Sequence, residues 1–172
     1  MKLDSTISWI KEKDQWHLTY GEDHLISLGT PSNGFRPFTM EGRKFRIKPQ
    51  GFWQNKWLIT NDYGQHILNM KFGFWDSKGR IQFRDGAKFE CRFHQNPNFM
   101  VSIKDLRYGE DLLTYSLITE KNGSIKKDLI LHQKEAFTDK LLFLLTLGMC
   151  MTLHYHHDGM DLGTFLTLCT AG

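Results

Sequence analysis

The chain has 172 residues, 40% hydrophobic and 13% aromatic, which is enough to bury a sizeable core in one domain and excludes a disordered composition. Its formal net charge of +3 conceals an asymmetry: residues 36–92 hold 12 Lys and Arg against 5 Asp and Glu, and the remainder holds 10 against 14. Cys91, Cys150 and Cys169 are odd in number and far apart, and the polar N-terminus has no apolar run of signal-peptide length, so the reading is a reducing, cytoplasmic compartment and not secretion.

Residues 1–30 contain short alternating pieces, with Ile7 and Trp9, then Trp16, Leu18 and Tyr20, then Leu25 to Leu28. Period-two alternation marks strands with one dry face. Gly29-Thr-Pro-Ser-Asn-Gly34 is the one Gly/Pro-rich stretch of linker length, and at six residues it reads as a loop within a single domain spanning 1–172.

From Phe35 the alternation strengthens. Lys44, Arg46 and Lys48 interleave with Phe45 and Ile47, which sets three cations on the outer face of one strand and two large apolar groups on the inner face. Phe52, Trp53, Trp57, Leu58 and Ile59 follow, then a turn at Asn61-Asp-Tyr-Gly64. Leu68, Met70, Phe72 and Phe74 make the next inward row. Ile81 and Phe83 face inward between Arg80, Gln82 and Arg84, Asp85-Gly86 signals a tight hairpin, and Ala87, Phe89, Cys91 and Phe93 continue the pattern. Phe99, Val101 and Ile103, then Leu113, Tyr115 and Leu117, then Asn122-Gly123 and Leu129 to Leu131 repeat it less cleanly. The sum is roughly ten to twelve short antiparallel strands, a sandwich or a barrel.

Leu141 to Leu153 decides between the two. The run has no charged side chain, and a helix that is apolar all round must be enclosed. Spanning a bilayer takes about 20 apolar residues, so this shorter run, flanked by Asp139-Lys140 and by His154 to Asp158, reads as a core helix over about 138–157. A closed barrel of this size leaves a lumen that such a helix fills. Thr138 or Asp139 starts the helix and Gly159 ends it; Gly163 to Cys169 is a candidate edge strand. The expected fold is therefore all-β, a closed antiparallel barrel of about 12 strands wrapped around a C-terminal apolar helix.

This pattern resembles the tubby C-terminal-like fold of tubby, LURP-one-related and phospholipid scramblase proteins. The carrying residues are Phe45-x-Ile47, Trp57-Leu-Ile-Thr-Asn-Asp62-x-Gly64-Gln-x-Ile67 and Ala136-Phe-Thr-Asp139-Lys-Leu-Leu-Phe-Leu-Leu, within residues 35–157. The resemblance implies a twelve-strand barrel around the helix; tubby proteins also bind phosphoinositides through basic side chains on the barrel exterior.

No chemistry announces itself by motif. His154, His156 and His157 with Asp158 and Asp161 have donor types that suit a metal, but cations at a helix C-terminus explain them as simply and no second cluster completes a ligand set, so no metal and no cofactor are expected. Gly-x-Ser-x-Gly, phosphate-loop and dinucleotide fingerprints are missing. Aromatic and basic residues fall on opposite strand faces, which argues against a base-stacking platform for nucleic acid. The reading is a non-catalytic binding module whose basic face, with Lys44, Arg46, Lys48, Arg80 and Arg84 as candidates, meets an anionic membrane surface, peripherally and without a transmembrane span, or a phosphorylated ligand. The alternatives are an enzyme with an unsigned active site and a small-ligand-binding barrel.

Overall fold

A computed structural model describes residues 6–51, 55–73, 77–94, 99–119, 121, 125–132 and 137–157. Twelve strands precede one helix: β1 (Ile7–Glu12), β2 (Gln15–Tyr20), β3 (Asp23–Leu28), β4 (Arg36–Met40), β5 (Arg43–Gln50), β6 (Lys56–Asn61), β7 (His66–Phe72), β8 (Lys78–Phe83), β9 (Lys88–His94), β10 (Phe99–Asp105), β11 (Glu110–Thr119), β12 (Ile125–Leu131) and α1 (Asp139–His157). Each strand pairs antiparallel with the next in chain order, which is the expected barrel in its simplest, up-and-down topology.

The hairpins carry the local chemistry that tight turns need. At β4–β5, Glu41 and Gly42 both take positive φ, 51° and 74°, the mirror-image turn whose twist matches that of the flanking strands. At β8–β9, Gly86 takes φ 90° and the Asp85 carboxylate accepts the Ala87 N–H at 3.0 Å. Asn122-Gly123, Phe52, Trp53, Phe74 and the proposed edge strand at 163–169 lie outside the described residues.

The inward rows match the alternation: Phe45 and Ile47, Leu68, Met70 and Phe72, Ile81 and Phe83, Phe89, Cys91 and Phe93, and Val101 and Ile103 are all in the core. Tyr20 departs from it. Leu18 is fully buried, whereas Tyr20, the last residue of β2, is partly exposed and lies edge-on to Phe137 at 5.0 Å; a bulge opposite Leu18 and Thr19 adds its extra residue, Leu25, to β3.

Residues 142–153 of α1 are buried without interruption, so every face of the helix is covered by barrel wall. Phe143 meets Phe45 (5.0 Å) and Phe38 (6.3 Å) edge-to-face, and Trp57 meets His154 in the same way at 5.3 Å. The two polar residues in the buried stretch are satisfied by the helix itself: Thr146 and Thr152 donate to the carbonyls of Leu142 (2.9 Å) and Gly148 (2.8 Å). Thr138 caps the first turn by accepting the Leu141 N–H at 3.3 Å, Asp139 pairs with Arg43 of β5 at 2.9 Å, and Lys140 pairs with Asp85. The helix start is thereby tied to the β4–β5 and β8–β9 hairpins at one rim of the barrel.

β1 and β12 are the ends of the sheet, and a cleft of about 150 Å³ separates Ile7, Ser8 and Trp9 from Asp128 and Leu129. A hydrogen-bonded relay crosses this seam. The Trp9 indole donates to the Tyr115 hydroxyl at 2.7 Å, and that hydroxyl donates to the Leu145 carbonyl at 2.8 Å, so strand, wall and helix share one chain of donors that runs from the half-buried Trp9 into the core.

Cys91 of β9 and Cys150 of α1 are both free and buried. Burial pushes the Cys91 thiol far above its ordinary range and the Cys150 thiol up to about 12. The thiolate is the reactive form, so both should resist Ellman's reagent at pH 8 in the folded protein and react promptly in guanidinium. Rapid modification of either site in the native state, read by mass spectrometry of the labelled peptides, would contradict this arrangement.

Candidate anion-binding face

On the exterior of β5 to β8, side chains project away from the core on alternate residues, and the strand register decides which of them become neighbours. Lys56 lies directly opposite Lys71, and Lys71 directly opposite Arg80. All three are exposed, in one row across three adjacent strands. Lys48 on β5 faces Leu58, which puts it diagonal to Lys56, about 7–8 Å away. The next position past Arg80 is Glu90, whose carboxylate is held by Arg92. Among the described residues none of Lys48, Lys56, Lys71 and Arg80 forms an ion pair.

The five cations read from the sequence therefore divide. Lys48 and Arg80 belong to this row, and two residues that alternation along single strands could not nominate, Lys56 and Lys71, stand between them. Lys44 and Arg46 line a separate shallow groove with Phe35, Thr39 and Asp62. Arg46 is also engaged, its guanidinium 5.0 Å from the Phe35 ring centroid. Arg84 is exposed beyond the opposite end of β8, in the hairpin beside Asp85, and its backbone N–H bonds to the Ile67 carbonyl at 3.0 Å.

Like charges directly opposite one another destabilise a sheet by some tenths of a kcal/mol per pair, and here two such pairs adjoin. An anion bridging the row relieves that repulsion, and phosphate oxygens are the acceptors such a row of ammonium and guanidinium groups suits. Among the described residues the aromatic side chains of these strands lie in the core, so the strands themselves present charge without stacking surfaces.

Of the histidines considered for a metal, His154 is described and lies against Trp57, while the side chains of His156 and His157, and the whole of Asp158 and Asp161, lie outside the described residues. Among the described residues no group of three His, Cys, Asp or Glu is placed to hold a metal ion, and no helix is long and apolar enough to cross a membrane. Compared with protein-family models, curated proteins and solved structures, the chain matches none.

Proposed function

We propose that this protein is a non-catalytic binding module that attaches peripherally to anionic membrane surfaces through the exterior of β5 to β8. The observation that carries the reading is the row Lys56–Lys71–Arg80, three exposed cations opposite one another across three strands with no carboxylate between them, extended by Lys48. The resemblance to the tubby C-terminal-like fold, whose tubby members bind phosphoinositides on the barrel exterior, points the same way.

Each cation close to an anionic bilayer is worth about 1 kcal/mol, so four acting together give roughly 4 kcal/mol, a weak and salt-sensitive attachment. The test is co-sedimentation with vesicles containing phosphatidylserine or phosphoinositide, at low and at physiological salt. The Lys56→Glu/Lys71→Glu/Arg80→Glu variant should lose binding at both salts, whereas Lys44→Glu, in the groove that already holds Asp62, should retain most of it. Equal sedimentation of wild type and the triple variant would overturn the assignment.

A further inference from the structure

Among the described residues, the barrel end around the C-terminal turns of α1 is not closely packed. Where α1 approaches its C-terminus a cavity of about 370 Å³ opens, inside the range of roughly 300–1,000 Å³ common to small-molecule sites. Its lining is largely aromatic and aliphatic, from Trp16, Phe35, Trp57 and Leu153, with Arg36, the exposed Lys11 and the His154 imidazole beside Asp14, which is the one carboxylate of the lining among the described residues.

Two details point to a ligand. Trp57 is 2% exposed, and among the described residues its indole N–H has no hydrogen-bond acceptor, although a buried donor is costly to leave unmade. Arg36 is anchored by a 3.0 Å bond from its guanidinium to the Gly29 carbonyl, so its position is constrained before any ligand arrives. The charge of Arg36 also reaches the cavity floor: burial raises the Cys150 thiol pKa, and Arg36 acts against that rise.

We infer that this end of the barrel binds a small amphipathic carboxylate, its apolar body against Trp16, Phe35 and Leu153, its charge met by Arg36 and Lys11, and an acceptor oxygen within reach of the Trp57 N–H. This site is separate from the exterior row of β5 to β8, and it needs a monomeric ligand rather than a bilayer.

The experiment titrates the full chain with decanoate below its micellar concentration, and with 1-naphthoate as a planar probe, following tryptophan fluorescence and calorimetric heat. Decanol serves as the uncharged comparison. Saturable one-site binding of at least one acid is expected, with decanol about tenfold or more weaker than decanoate, the effect of losing one charge-assisted hydrogen bond. Arg36→Gln should bring the affinity for the acid down towards that of the alcohol, and Trp57→Phe should weaken binding while keeping an aromatic wall. Lys11→Gln, at an exposed position, gives a smaller loss in the same direction with the thermal transition unchanged, which keeps the test valid if either of the other two variants folds poorly. The Lys56→Glu/Lys71→Glu/Arg80→Glu variant should bind the acid as wild type does, so failure of the membrane reading and failure of this one are distinguishable. Absence of saturable binding by both acids, or equal affinity for decanoate and decanol, would overturn the inference.

Discussion

Replacing Leu145 by Asp is expected to abolish the cooperative thermal transition. Leu145 is 0% exposed, within the buried run of α1, and its own carbonyl already accepts the Tyr115 hydroxyl. A carboxylate there would be enclosed by the inner rows of the barrel, and an unpaired buried charge costs several kcal/mol against a total stability of about 5–15 kcal/mol for a domain. Leu145→Ala, which only opens a cavity, should cost about 2–5 kcal/mol and leave a measurable, lower transition. The two variants form a graded pair readable by circular dichroism on heating. A wild-type melting curve for Leu145→Asp would remove the helix from the lumen.

Gly148→Ala is expected to destabilise the protein by about 1–3 kcal/mol, although propensity alone predicts a gain of about 1 kcal/mol for Ala over Gly inside a helix. The opposing term is steric. A Cβ on residue 148 would stand 2.6 Å from Tyr115 Cε2 and 2.7 Å from Cδ2, far inside contact distance. Tyr115 cannot swing away cheaply, because its hydroxyl is held between the Trp9 indole and the Leu145 carbonyl. Urea denaturation should therefore show a lower midpoint for Gly148→Ala. In a Tyr115→Leu background the same substitution should turn neutral or stabilising, since the ring that blocks the methyl is gone. An Ala variant at least as stable as wild type in the native background would show that the helix does not pack against Tyr115.

These two residues show how unevenly the fold is legible. Leu145 could be assigned to the core from the sequence, because a run with no polar face admits no exposed side. Gly148, in the same run, reads there only as a weak helix former; the need for it arises from a tyrosine 33 positions earlier whose ring occupies the space of its missing side chain. β4 is another such case, because its hairpin turns at Glu41-Gly42 without an Asn-Gly or Asp-Gly signal, and positive φ at both residues becomes visible only in three dimensions.

By itself the sequence determined the strand-rich barrel, the phase of most inward rows and the enclosed helix, since each depends on a periodicity local to a few residues: two along a strand, and none at all along a helix covered on every side. It also located the positive excess in residues 36–92. Only the tertiary structure decided which cations stand together. Register between strands is set by turn geometry and by bulges such as those at Leu18/Thr19 and Ile59/Thr60, and it brought Lys56 and Lys71 between Lys48 and Arg80 while leaving Lys44, Arg46 and Arg84 in other surroundings. The relay from Trp9 through Tyr115 to Leu145 and the cavity beside Trp57 were equally beyond the sequence, because both join residues from opposite ends of the chain that meet only when the barrel curls around its helix.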